Sequence, residues 1–471
     1  MKNRLVIIIL TIFLTRITGQ AQEVYSFERA PFSTRAYDEY APVYYQDGLI
    51  FSANKRMDML RKIDGNKGKP PWNIFVVSQT GESEWGRVDL LSDNLRSLTY
   101  EGPVTINQGQ DLIYFNRNHE AGNRKMRSKV GIFSAEFING EWTNIQPFEH
   151  NDPLYNFFHP TLSHDGNMLF FASDLRGGYG GFDLYVCTRS GTTWSEPFNL
   201  GPNVNTSGND IYPVIHPDGR LYFSSNRHPG IGGYDIFYTE EVNGEWVEPV
   251  NVGEPFNSRR NDASLISNND YTHGFFTSNR DRISNNIFEF KLTAPTFEEC
   301  KLQEENNYCY TFFETGTMDI DTTSFMYEWR IGQHDRIRAK EADYCFPGPG
   351  DYVVQLNVID LLTGEILVNQ AYHELTIEDI EQVYITSPDT VLAGQEINFN
   401  GTRTYLKNFN VDRYYWDMGD YTRTSNPELD HRFTRPGIYT VKLGVTNDAD
   451  NPEELQKACS FKRIIVLPPS E

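Results

Sequence analysis

Chemistry in this chain of 471 residues would have to come from its histidines, carboxylates and cysteines, and their spacing limits what that chemistry could be. His373-Glu374 opens like a zinc-binding pair, but no histidine stands four residues after His373, so the H-E-x-x-H geometry is not formed. A G-x-S-x-G nucleophile elbow, a phosphate loop and paired-cysteine zinc spacing are equally missing. His164 and His216 lie beside Asp-Gly turns, where exposure accounts for them without a metal. The most suggestive set is a recurrent one: Asn54, Asn118, Asp174, Asn226 and Asn279 could together form a polar ring. Asn and Asp also end strands by bonding their own backbone two residues on. That structural role is the reading taken here, for these five and for Asn73, Asp183, Asp235 and Asn286. On these grounds the sequence predicts neither an enzyme nor a bound cofactor or metal.

The elements that position these residues come from a repeat. "YAPVYYQDGLIFSANKR" (40–56), "YEGPVTINQGQDLIYFNRN" (100–118), "FHPTLSHDGNMLFFASDLR" (158–176), "IYPVIHPDGRLYFSSNR" (211–227) and "NDASLISNNDYTHGFFTSNR" (261–280) share one pattern. A second half returns as "WNIFVV", "VGIFSA", "FDLYVC", "YDIFYT" and "NNIFEF". Self-similarity at intervals of roughly 50 to 65 residues signals a propeller or an array. Each unit reads as two strands joined by a tight turn, a glycine-rich loop and a third aromatic strand. A fourth, outer strand is expected to follow the tryptophan-centred segments at Trp85, Trp142, Trp194 and Trp246.

The fifth unit has no tryptophan strand of its own. Val24 to Phe27 resembles the missing piece and would close the ring from the other end. The reading is a five-bladed propeller over 22–293, with six blades left open if the long first repeat holds a further sheet. The residues entering each first strand, Tyr40, Glu101, His159, Tyr212 and Asp262, are expected at the channel mouth as a contact ring; that they merely fill the channel is the alternative.

Beyond Thr293 the pattern changes. "YEWRIGQHDRIRAKEADYCFPGPGDYVVQLNV" (327–358) aligns without gaps on "YYWDMGDYTRTSNPELDHRFTRPGIYTVKLGV" (414–445) at an offset of 87. The alternation in "YVVQLNV" and "YTVKLGV" gives period-2 strands, and the turn density is that of a β-sandwich. Two tandem domains of one fold follow, at 294–378 and 379–471. Trp329 and Trp416 are expected in the cores. Tyr352 and Tyr439 are expected as corner tyrosines that tie the strand start back to the preceding loop.

Lys2 and Arg4, the apolar run Leu5 to Leu14 and the small residues of Gly19-Gln20-Ala21 read as a secretory signal over 1–21. That run is too short to span a bilayer, which takes about 20 residues. With no cysteine at the cleavage site, direct membrane insertion or lipid anchoring is not expected. The formal net charge of -22 argues against nucleic acid and anionic lipid as partners. Of five cysteines, an odd number cannot all pair internally. Cys309 with Cys345 is the preferred bridge, and buried free thiols are the alternative.

The five units resemble TolB-type, WD-repeat-like propeller repeats, whose signature runs proline, Asp-Gly, aromatic strand, Ser-Asn-Arg and Asp-Ile-Tyr. Residues 211–238 follow it nearly throughout. The tandem domains resemble PKD, immunoglobulin-like domains through the W-D-x-G-D-G and P-G-x-Y pattern. Tyr421 stands where glycine is usual, and Arg330, Gln333 and His334 depart from the pattern in the first copy. The resemblance implies an all-β chain, a five-bladed β-propeller followed by two PKD sandwiches, like cell-envelope proteins of Bacteroidota-type bacteria, some of which serve type IX secretion and gliding. It implies an exported, non-catalytic scaffold, periplasmic or outer-membrane associated, that binds another envelope protein or a secretion complex. A carbohydrate- or peptidoglycan-binding module is the alternative. A propeller glycosidase is more distant, since it needs two suitably spaced carboxylates. "RSGTTW" (189–194) is similar to the sialidase box, with Arg189 where its aspartate stands.

Overall fold

A computed structural model describes residues 24–55, 71–81, 83–97, 100–119, 129–315, 324–448 and 454–468. The expected signal segment 1–21 and the insertion 56–70 of the long first repeat lie outside the described residues. Every regular element among the described residues is a β-strand, and no helix there is long and apolar enough to cross a membrane. The chain divides into two compact units, Glu23–Pro295 and Thr296–Glu471.

The first unit is built, among its described residues, from five antiparallel sheets with four strands on each main path and a small hairpin of Glu241–Val242 with Glu245–Trp246. Their leading strands are Glu39–Tyr45, Glu101–Ile106, Phe157–Leu162, Asp210–Ile215 and Asp262–Ser267. Each of these touches the next, and the fifth touches the first, so they form a closed cycle. Second strands such as Met168–Ser173 and Leu221–Ser225 are buried on both faces, because each sheet is sandwiched between two others. This explains why they read as continuous apolar runs without alternation.

Five apolar clusters fill the five gaps between neighbouring sheets. Ile50 and Ile74 of the first sheet meet Ile113 and Phe115 of the second, and Phe275 and Ile287 of the fifth meet Leu49, Phe51 and Phe75 of the first. The fourth strand of the fifth sheet is Tyr25–Arg29, paired antiparallel with Asn286–Leu292 from Tyr25 opposite Leu292 to Arg29 opposite Phe288.

The tryptophans take two kinds of place. Only Trp142 lies in a full outer strand, Glu141–Pro147. In the first, third and fourth sheets the outer pairing comes from Asp89–Leu90, Phe198–Asn199 and Val250–Asn251. Trp85, Trp194 and Trp246 sit earlier, where the third strand hands over to the fourth. From there each ring reaches the preceding sheet: Trp85 meets Phe275 at 5.8 Å, Trp194 meets Tyr114 at 6.1 Å, and Trp246 meets Phe170 at 5.8 Å. They are wedges between sheets, and burial of a large aromatic surface holds them there.

The second unit holds two sandwiches. In the first, the sheet order is Asp335–Arg338, Phe325–Ile331, Gly350–Asp360, Ile366–Ile377, with Cys309–Phe313 paired to Glu341–Cys345 across from it. In the second, Arg423–Thr424, Arg413–Asp417, Gly437–Thr446 and Lys457–Leu467 repeat that order, with Glu396–Asn400 paired to Glu428–Arg432. Trp329 and Trp416 are buried, and their indole N–H groups donate to Ala339 O at 3.1 Å and Asn426 O at 2.7 Å. Tyr352 donates its hydroxyl to Gly348 O and Tyr439 to Arg435 O, both at 2.9 Å. All four contacts keep the offset of 87.

Cys309 is bonded to Cys345 and Cys300 to Cys459, while Cys187 is free and buried. The segment 297–303, which the sequence places at the start of the first sandwich, lies along the second: Lys301–Leu302 pairs in parallel with Ser460–Phe461, and Phe297 packs on Tyr415 with ring centroids 5.7 Å apart.

Candidate functional site

Each leading strand of the first unit breaks its register once. At the break sits a residue with positive φ: Ala41 (55°), Gly102 (83°), His159 (54°), Tyr212 (54°) and Ser264 (49°). For non-glycine residues this left-handed backbone costs about 1 kcal/mol or more. The preceding sheet supplies the compensation in three cases. The Ala41 N–H donates to Thr277 Oγ1 at 3.1 Å, the His159 N–H to Asn116 Oδ1 at 2.8 Å, and the Tyr212 N–H to His159 Nδ1 at 3.3 Å. At Gly102 a side chain would meet Ser52 Oγ, 2.1 Å from where Cβ would stand. Accepting the Tyr212 N–H requires an unprotonated Nδ1 on His159. Burial pushes that imidazole down to about 3, so it is neutral at physiological pH.

The expected contact ring is therefore split. His159 and Tyr212 occupy the break itself and stack at 3.7 Å between centroids. Tyr40, one residue before its break, packs against Tyr212 at 5.9 Å and Trp72 at 4.5 Å. Glu101 and Asp262 point elsewhere and are fully buried inside the sheets. Glu101 faces Arg117 at 3.7 Å, and burial, opposed by Ser97 and Arg117, raises its carboxyl. Asp262 meets Arg280 at 3.0 Å and accepts the Ser258 N–H at 2.7 Å. The five positions were not equivalent in register, which the bulge conceals in the sequence.

The recurrent Asn/Asp side chains bond a different backbone from the one expected. Asn54, Asp174, Asn226 and Asn279 each accept a backbone N–H from the segment leading into the first strand: Asp38 at 2.9 Å, Asn156 at 2.5 Å, Asn209 at 2.8 Å and Asn261 at 2.9 Å. Asn118 ends the strand Leu112–Asn118 opposite Val130. Asp183 and Asp235 gather the N–H groups of the glycine-rich loops before them. Asn73 donates to Pro71 O and Asn286 to Thr34 O. Sequence reading missed Asn151, Asn205 and Asn257, whose amides bond both the N–H and the C=O of Ile132, Leu184 and Ile236 like one rung of an extra strand.

From the register break onward the five leading strands enclose a cavity of about 560 Å³. Its wall carries Val43, Pro103, Ile106, Pro160, Val214 and Ile266, and among the described residues no Asp, Glu, Lys or Arg lines it. At the hairpin turns Gln108, His164 and Asn269 face this cavity. These turn residues come from corresponding places in three repeats, "NQGQ", "SHDG" and "NNDY", a signal visible once the repeats are aligned. The aromatic group of Tyr40, His159 and Tyr212 lies at the level of the break. Such a cavity offers apolar surface and neutral hydrogen-bonding groups. Among the described residues no three His, Cys, Asp or Glu side chains gather as a metal site.

Residues 381–460 are a PKD domain. A stretch of 64 residues is 34% identical to collagenase ColA of Clostridium perfringens, covering 14% of this chain and 6% of that protein. The chain thus spans a small fraction of the length of the curated relative it matches. Among solved structures, TolB of Acinetobacter baumannii aligns over 70% of this chain and 57% of its own, at 11% identity and a TM-score of 0.30. An endo-arabinase of Bacteroides thetaiotaomicron aligns over 57% of this chain and 99% of its own, at 12% identity and a TM-score of 0.36.

Proposed function

We propose that this chain is an exported, non-catalytic scaffold of the bacterial cell envelope, an accessory of a secretion or gliding assembly of the type IX kind. In this reading its first unit is a five-bladed propeller that holds a protein partner, and its second carries two PKD sandwiches. The observation that carries the reading is the cavity of about 560 Å³ without a charged residue in its wall among the described residues. A rigid ring that presents turns around an apolar hollow suits capture of an apolar side chain or loop of another protein. The blade count is supported by five clusters joining neighbouring sheets in a cycle. Export is supported by the two disulfides, which persist in oxidising compartments.

A sugar ligand is the second reading, favoured by Tyr44 and Tyr222, which line the same cavity as the amides of Gln108 and Asn269. One experiment separates the two. Wild-type protein and Val214→Arg are compared for capture from an envelope extract of the producing bacterium and for retention on polysaccharide columns, after thermal unfolding has confirmed that both are folded. The scaffold reading expects a discrete protein recovered by the wild type and reduced at least tenfold by the variant. Equal recovery would refute it, and variant-sensitive retention on polysaccharide would replace it with the sugar reading.

A further inference from the structure

The strand Ile366–Ile377 forms the outer edge of its sheet, and its backbone pairs on one side only, with Gly350–Asp360. From Ile366 to Glu374 every residue is exposed, including Ile366 at 47%, Leu367 at 41%, Val368 at 62% and Tyr372 at 51%. No charge and no proline interrupts "ILVNQAY" (366–372). Proteins normally guard such edges with lysine, proline, bulges or a covering segment, because an open apolar edge templates another strand; here a bulge at 368–370, with Asn369 at a φ of 54°, interrupts the pairing with Gly350–Asp360, and the edge beyond it, 371–374, carries no lysine, proline or bulge. Beside it, between this strand and Cys309–Phe313, a crevice of about 400 Å³ reaches the core at Phe312, Trp329, Val354 and Leu356.

The second sandwich shows what normally closes this place. Its matching strand, Lys457–Leu467, is covered by two extended segments that run parallel to it, Lys301–Leu302 and Thr390–Leu392. The second of these belongs to the stretch that also buries Val383, Ile385 and Val391 in the core. Matching by pairing position, Gly350 opposite Ile377 and Gly437 opposite Val466, places Ala371 and Tyr372 where Ser460 and Phe461 receive Lys301–Leu302. The chain that leads into the first sandwich has thus been given to the second, tied there by Cys300–Cys459. Among the described residues nothing takes its place at 366–374.

We propose that the edge 366–374 takes its missing strand from another polypeptide, an extended segment with alternating apolar residues flanked by lysine or arginine. Charge sets the last condition. Residues 306–380 contain 13 Asp or Glu and only 4 Lys or Arg. Those four, Arg330, Arg336, Arg338 and Lys340, lie on or beside the two strands at the far side of the sheet. The open side holds Asp351, Asp360, Glu365, Glu374, Glu378 and Asp379, of which Glu378 is paired with Lys407 of the second sandwich at 2.7 Å. Main-chain pairing would give affinity, the crevice would select the apolar side chains, and the acidic border would select the flanks. This surface is separate from the cavity of the first unit and goes beyond the function proposed for it.

The test uses the mature full-length protein and two synthetic peptides, KKVTITVKK and its glutamate-flanked counterpart EEVTITVEE, with hydrogen exchange read peptide by peptide. The lysine-flanked probe is expected to slow exchange at 366–374 and to bind at least tenfold more tightly than the glutamate-flanked one at low salt. Val368→Lys and Tyr372→Lys, both at exposed positions, should each weaken it at least tenfold while melting as the wild type does. Absence of protection at 366–374, equal binding of the two probes or indifference to both variants would overturn the proposal. So would protection that grows with protein concentration alone, which would assign the edge to a second copy.

Discussion

The two sandwiches are one plan executed twice with opposite treatment of the same edge. In the second, residues 297–303 and 383–392 seal the last strand. Gln303 accepts the Ile385 N–H at 2.6 Å and donates to Ile385 O at 3.2 Å, joining the two covering segments. Phe297 lies over Gly444, where any side chain would collide with its ring. In the first, the matching positions on the outer face carry a polar set: Glu328 and Asn357 are buried, Arg338 donates to Glu328 at 2.9 Å, and Asn357 accepts the Asn369 N–H at 2.8 Å. A polar face needs no aromatic cover, since its groups satisfy one another. The difference teaches that a repeated fold can be kept while the segment between the copies is assigned to one of them.

Several substitutions would sharpen or break this contrast. The largest effect is expected from removing the disulfide that fastens the covering segment. It joins residues 159 apart, so chain entropy alone sets its loss at about 5 kcal/mol, against about 4 kcal/mol for the bridge spanning 36. Calorimetry of Cys300→Ser/Cys459→Ser and Cys309→Ser/Cys345→Ser compares them, and a smaller loss for the first pair would mean that the cover contributes little. Trp416→Ala should cost about 4 kcal/mol and Trp329→Ala about 3 kcal/mol, because the crevice already borders the latter. Denaturant unfolding would contradict the contrast if the order were reversed.

Tyr352→Phe and Tyr439→Phe serve as internal controls. Each removes one hydroxyl bond at the same place, so each should cost about 1 kcal/mol, and unequal losses would show that the edges also alter the corners. The smallest effect lies in the other unit. The His159 imidazole titrates lower in the folded state than unfolded, so the unfolded chain binds the extra proton first. Stability conferred by neutral His159 is complete above its unfolded value near 6.5 and declines as pH falls toward 3. At pH 6.0 the loss should be about 0.8 kcal/mol and should vanish in His159→Gln, while the ranking of the two sandwiches is unmoved. Melting curves at pH 7.5 and 6.0 would decide it.

Repetition made much of this architecture readable. The five copies of the hairpin pattern map onto the five leading pairs of strands, and the offset of 87 fixed the two tryptophans and the two tyrosines in advance. What stayed hidden depends on contacts made far away in sequence. The left-handed backbone at His159 and Tyr212 is held by side chains of the neighbouring sheet, so nothing local announces the bulge. Without it the ring residues are compared one or two positions out of step. The covering segment pairs only at Lys301–Leu302, too short a run to show alternation. The partner of Cys300 is 159 residues away, and its choice is made by the sheet. The cavity residues Gln108 and Asn269 carry no unusual chemistry, and only alignment of the turns brings them together.

The pairing of Tyr25–Arg29 with the last strand of the fifth sheet has a bearing on how the molecule is made. Ser26 and Lys291 are 265 positions apart in the chain, so the opening strand must wait, with its backbone unsatisfied, until the whole circle has been delivered. Chain closure over such a span is slow and comes late. A protease or a bulky amino-terminal fusion acting on those few residues would leave the circle unlatched.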